Sequence, residues 1–139
     1  MKPAIMFCAI ALIIFAASHA LSDDHGEVAA ESAAVAWLTL VDTGKYDESW
    51  NTAATLFRQA ISQEQWQSKV ARARGSLGAL KSRKLQSAAL KRTLPGAPDG
   101  AYVVIQFASS FEQKTAAIET VTPMKDADGT WRVSGYYIK

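Results

Sequence analysis

Glu119 is the residue whose placement most invites chemistry, because it alternates with Ala117 and Val121 along one apolar strand face. A carboxylate desolvated among apolar neighbours has a raised pKa and can take a proton near neutrality. Tyr136 and Tyr137 fall on the segment expected to pair beside it. An acid next to a phenol is the pairing of ketosteroid-isomerase-type proton transfer, with the acid as base and the phenol steadying an oxyanion. The pattern leaves open which tyrosine faces Glu119. It also leaves the plainer reading, a solvent-facing Glu119 or one paired with a base such as Arg132.

The second constellation is aromatic. Trp37, Trp50 and Trp66 each fall on a different predicted helix, and Trp131 opens the last predicted strand. Tryptophans at helical spacing build small cores, and the same residues can line an apolar cavity with a few polar groups at its mouth. Trp37, Trp50 and Trp66 are therefore the candidate ligand-binding residues, and Glu119, Tyr136 and Tyr137 the candidate catalytic ones.

Common chemistries are excluded by residue type. Beyond the first twenty residues His25 is the one histidine and no cysteine remains, which removes Ser-His-Asp and Cys-His nucleophilic catalysis and ordinary zinc sites. Neither common Gly-rich phosphate loop is present. Asp126-Ala127-Asp128-Gly129 echoes the opening of a calcium loop, but the twelfth position, where a bidentate carboxylate belongs, is Tyr137. The segment reads as a hairpin turn. No metal and no cofactor is expected.

The elements that must position these residues follow from periodicity. Asp24 and Glu27 have capping-box spacing and open a helix to about Thr43, stopped by Gly44, with Ala30, Ala33, Ala34, Trp37, Leu40 and Val41 facing inward. A shorter helix from Tyr46 carries Trp50, Ala53, Ala54 and Phe57. A third is announced by the capping box Ser62/Gln65 and the staple Ile61/Trp66, continues through Val70, Ala73 and Leu77, and ends at Gly78. The period then changes to two. Strands are predicted over Leu80 to Leu94, with a bulge near Ser87-Ala88-Ala89, and over Tyr102 to Phe111, Thr115 to Pro123 and Trp131 to Ile138. The fold class is α+β, three N-terminal helices packed on a curved four-stranded antiparallel sheet.

The N-terminus reads as an export signal. Lys2 supplies the positive end, Ala4 to Ala17 the apolar run, and Ser18-His19-Ala20 the small residues of a cleavage site. Residues 1–20 are read as a cleaved signal peptide and 21–139 as a single domain, with a periplasmic location and no membrane span after cleavage. Net charge is +2 for the whole chain, which requires no nucleic acid. Charge is uneven along it. Lys69, Arg72, Arg74, Lys81, Arg83, Lys84, Lys91 and Arg92 form a block without an acid, which could attract an anionic partner or membrane surface and reads more simply as a solvated helix face and strand edge.

Tyr46-Asp47-Glu48-Ser49-Trp50, Leu94-Pro95-Gly96-Ala97-Pro98-Asp99-Gly100, Glu119-Thr120-Val121-Thr122-Pro123 and the ending Gly129-Thr130-Trp131-Arg132-Val133-Ser134-Gly135-Tyr136-Tyr137-Ile138-Lys139 together resemble a bacterial exported family of unknown function. The order of elements is similar to the cystatin-like and nuclear-transport-factor-2-like cones, in which a curved sheet wraps a long helix and leaves a pocket. The resemblance implies that fold and brings no catalytic residues. The expected function is a non-catalytic binding module for a small apolar ligand or an envelope protein. A small isomerase or lyase and a self-associating structural subunit, such as a homodimer, are the alternatives.

Overall fold

The computed structural model describes residues 18–139, with side chains from His25 onward. The apolar run Ala4 to Ala17, read as the core of an export signal, lies outside the described residues. Four helices precede four strands: α1 Ser18–Asp42, α2 Tyr46–Asn51, α3 Thr55–Ala60, α4 Gln63–Leu77, β1 Leu80–Lys91, β2 Tyr102–Phe111, β3 Lys114–Lys125 and β4 Trp131–Ile138. The strands form one antiparallel meander in chain order, so the class is α+β. Among the described residues no helix is long and apolar enough to cross a membrane.

α1 contacts all four strands. It starts at Ser18, so Asp24 is inside the helix and not its cap. No glycine or proline between Ser18 and Asp24 halts the helix, and Gly26 is carried inside it at a cost of about 1 kcal/mol. The buried stripe is Ala30, Ala34, Trp37, Leu38 and Val41. Leu38 takes an inward place that the sequence pattern gave to Ala33 and Leu40, which are only half-buried.

The predicted second helix is two. The chain leaves α2 after Asn51, and the Ala54 N–H donates to the Val133 carbonyl of β4 at 2.8 Å. That bond holds Ala54 in an extended conformation and breaks the helix. A new helix then begins at Thr55, whose N–H and hydroxyl both donate to Asp126. α4 starts as predicted, with both halves of the Ser62/Gln65 capping box formed. It ends at Gly78, where φ is +73° and a Cβ would come within 3.0 Å of the Glu112 Cβ, so glycine is required twice over.

The sheet turns one side to the helices. On β2 that side is Val103, Ile105, Phe107, Ser109 and Phe111, all buried. Ala88, Ile105, Val121 and Tyr136 lie opposite one another in successive strands, as do Leu85, Phe107, Glu119 and Ile138. The bulge in β1 falls at Gln86, between Leu85 and Ser87, and restores Ala88 and Leu90 to the inner side.

Above this side sits an aromatic cluster. Trp66 lies 5.0 Å from Phe57 and 5.6 Å from Trp37, and Trp37 lies 5.3 Å from Tyr136, between ring centres. Ser49 is its polar hub and is fully buried. Its carbonyl accepts from the Trp37 indole at 2.8 Å and its hydroxyl from the Trp66 indole at 2.8 Å, while the hydroxyl donates to the Tyr46 carbonyl at 2.6 Å. Trp50 reaches out instead and donates to the Ile61 carbonyl at 2.9 Å. Ser49→Ala leaves the buried Trp66 N–H without its acceptor and costs about 1–3 kcal/mol. Thermal unfolding is expected to show Tm lowered by about 4 °C or more, and an unchanged Tm would remove Ser49 as the hub.

Candidate functional site

Glu119 is fully buried on the helix-facing side of β3. Arg83, from the neighbouring row on β1, meets it with two parallel bonds, Nε to Oε1 at 2.7 Å and Nη2 to Oε2 at 3.1 Å. The Ser109 hydroxyl of β2 donates to Oε1 at 2.5 Å, and the Tyr136 hydroxyl of β4 donates to Oε2 at 2.5 Å. Every strand therefore sends one side chain to this point. A carboxylate has about four acceptor positions, and all four are taken.

The same guanidinium continues towards the helices. Arg83 Nη1 and Nη2 donate to the two oxygens of Asp42 at 2.7 and 3.0 Å, and Arg74 Nη2 of α4 donates to Asp42 at 2.8 Å. Asp42 is the last residue of α1, where the helix dipole disfavours an anion. Two guanidiniums offset that. Arg74 is itself buried, lies 4.9 Å over the Phe111 ring, and leaves its Nε and Nη1 without a hydrogen-bond acceptor. The ring face takes part of the cation's field in their place. Two acids and two bases sum to no net charge.

The electrostatics follow from this pairing. Burial alone would raise the Asp42 pKa, but hydrogen bonds from Arg83 and Arg74, with their charges, hold it below the ordinary 3.8. Burial pushes the Arg83 pKa down, and its bonds to Asp42 and Glu119 more than reverse that. Tyr136 is pushed far above its ordinary value by burial, then by the Glu119 charge and by its bond to that carboxylate. The phenol stays protonated and its proton is already committed.

Two of the three residues expected to do chemistry are thus brought together, and the register settles which tyrosine it is. Tyr136 sits opposite Val121 and reaches diagonally to Glu119, while Tyr137 sits opposite Thr120 on the other side of the sheet and is 52% exposed. Glu119 is not an uncompensated carboxylate. Its partner is Arg83 and not Arg132, which pairs with Asp126 and Asp128 at the β3–β4 turn. Those two aspartates spend their oxygens on Arg132, Thr55, Ala127 and Thr130, as a hairpin turn does. No cluster of three metal-ligating side chains occurs among the described residues.

Asp42, Arg74, Arg83 and Ser109 were not singled out from the sequence. Ser109 did carry a signal, since it continues the inward parity of Val103, Ile105 and Phe107. Arg74 follows Trp66 and Val70 at four-residue steps, on the stripe that buries it, whereas Ala73 is exposed.

A separate feature lies beside this cluster. α4 packs chiefly on α2, and an open groove of about 490 Å³ runs between α4 and the ends of β3 and β4. Trp66, Val70, Ala73 and Leu77 line it from the helix, and Tyr136 and Ile138 from the sheet. Of the three candidate ligand-binding tryptophans only Trp66 lines this groove. Trp37 is in the core and Trp50 is half-buried, tied to Ile61.

The pairing of Asp42 has a pH consequence. Its folded pKa is depressed, so its contribution to stability is complete above the unfolded value of 3.8 and is lost as pH falls through the lower folded value. Asp42→Asn is expected to lower stability at neutral pH and to make its dependence on pH below about 4 shallower. Urea unfolding across that range checks this, and an unaltered slope would show that the guanidiniums do not hold the carboxylate.

No curated protein and no solved structure matches the chain. A family model described as "protein of unknown function (DUF4019)" matches residues 33–136, from the middle of α1 to Tyr136. That span holds the Ser49 hub, Asp42, Arg74, Arg83, Ser109, Glu119 and Tyr136, and on it the chain belongs to the DUF4019 family.

Proposed function

We propose that this domain is a non-catalytic binding module that holds a small apolar ligand between α4 and β4, on a cone of the cystatin-like or nuclear-transport-factor-2-like kind. The observation that carries the reading is the groove. Its volume of about 490 Å³ falls in the range of small-molecule sites, roughly 300–1,000 Å³. Trp66, Val70, Leu77, Tyr136 and Ile138 give it a largely apolar lining. The apolar run and small-residue site of the first twenty residues support a periplasmic location for such a module.

The isomerase or lyase reading draws on a real juxtaposition, since Tyr136 lines the groove and touches Glu119. It is the weaker one on chemical grounds. Glu119 has no acceptor position left for a substrate proton, and the Tyr136 hydroxyl is spent on Glu119, leaving no donor for an oxyanion. The self-association reading rests on the outer side of the sheet, where Gln106, Thr120 and Thr122 interrupt Val104 and Ile118. That side is mixed in polarity, which favours it less than the groove.

Ala73 is exposed and lines the groove without touching the buried charges, so Ala73→Trp fills the groove and spares the fold. A neutral apolar dye that brightens on the wild-type protein is expected to bind the variant at least roughly tenfold more weakly, with Tm changed little. Equal binding to both proteins would place the apolar site elsewhere and overturn the reading.

A further inference from the structure

We infer that the ligand of this groove is a single-chain amphipathic anion, an alkyl chain ending in a carboxylate. The inference rests on the groove being the binding site and adds the chemistry of its occupant. Lys69 of α4 and Lys114 at the start of β3 line the groove along with its apolar residues, and no Asp or Glu side chain does. Neither Lys69 nor Lys114 makes an ion pair among the described residues. The arginines of the buried cluster and of the β3–β4 turn, by contrast, each have a carboxylate partner. Arg74 and Arg83 meet Asp42, Arg83 also meets Glu119, and Arg132 meets Asp126 and Asp128.

The two lysines come from different elements, Lys69 from α4 and Lys114 from the start of β3, so both the helix wall and the sheet wall of the groove carry a basic residue. A wholly apolar occupant would displace water from these ammoniums and give nothing back. A chain with an anionic end covers Val70, Leu77 and Ile138 with its alkyl part and sets its head among the lysines, whose own methylene stems extend the apolar wall. The floor cannot compete for that head. Glu119 is sealed behind Tyr136, and the Tyr136 hydroxyl points to Glu119 rather than into the groove's open side. The chemistry is that of a free fatty acid. A membrane of anionic lipid shares the charge but offers its chains packed in a bilayer and not singly.

The test compares laurate with dodecanol, each below its micellar concentration, on the full chain by titration calorimetry with tryptophan emission as a second signal, since Trp66 lines the groove. Laurate is expected to bind about tenfold more tightly than dodecanol, a preference of the size that one or two exposed charge pairs give. That preference should shrink as salt is added. The double variant Lys69→Gln, Lys114→Gln, checked for wild-type circular dichroism and Tm, is expected to abolish laurate's advantage. Equal binding of laurate and dodecanol to the wild type overturns the anionic head while leaving the groove as the site. Absence of binding by both overturns the groove itself. Phosphatidylglycerol vesicles that bind the chain and are not displaced by laurate would assign the lysines to a lipid surface and overturn the single-chain ligand.

Discussion

Arg83 stands between two carboxylates, 2.7 Å from Asp42 and 2.7 Å from Glu119, with little of any of the three side chains exposed to water. The rest of the chain is arranged around that contact. A guanidinium is planar and presents donors on two edges, so one side chain can grip a strand carboxylate with one edge and a helix carboxylate with the other. Through Asp42 it fixes the end of α1, and through Asp42 and Arg74 it fixes the last turn of α4. Through Glu119 it gathers Ser109 of β2 and Tyr136 of β4. A group of this kind adds little net stability compared with apolar residues of the same shape, because desolvating the charges consumes most of the attraction. What it adds is registration. Shifting any strand by one residue turns its contributor to the other side of the sheet and leaves a buried charge or hydroxyl unmatched.

The parts of this fold that were legible in the sequence are those set by local chemistry. The capping box Ser62/Gln65 and the stop at Gly78 depend on residues three apart or on a single φ, and α4 occupies the span they mark. Tyr102 to Phe111 alternates so cleanly that β2 has the predicted ends. Two of the misreadings share one cause, contact between residues distant in sequence. α2 and α3 are separate because Ala54 bonds to Val133, and nothing near Ala54 announces that partner. Arg74 and Arg83 stand in a block of bases that reads as solvated surface. Six of its eight members are indeed exposed, and these two turn inward because Asp42 and Glu119 are waiting there. Glu119 was legible as a carboxylate alternating with apolar neighbours, with burial, a solvent-facing place or pairing with a base all left open. Its role was not, since burial suits both a base awaiting a proton and an anion already paired.

That distinction separates the molecule into two regions with different work. The buried cluster has matched charges and a Glu119 carboxylate with every acceptor position filled, so it holds the helices on the sheet and leaves no base for a substrate proton. The groove beside it has an apolar lining and two lysines that make no ion pair among the described residues, so it is the part with interactions left to give. Tyr136 joins them. Its hydroxyl completes the Glu119 shell while its ring forms part of the groove wall and packs against Trp37 and Trp66. The aromatic cluster and the charged cluster thus meet at one residue, and the shape of the groove depends on both.

The claim that carries this account is that Arg83 and Glu119 act as one structural unit, and a double-mutant cycle on their stability tests it most directly. Arg83→Met and Glu119→Leu would each be measured by urea unfolding, together with the double variant. The account predicts that each single change, by leaving the buried cluster with an unbalanced charge, costs about 3–5 kcal/mol. It predicts that the double change costs well below the sum of the two, because no unmatched charge remains between them. Single changes that are each nearly neutral, or costs that add to within about 0.5 kcal/mol, would contradict it.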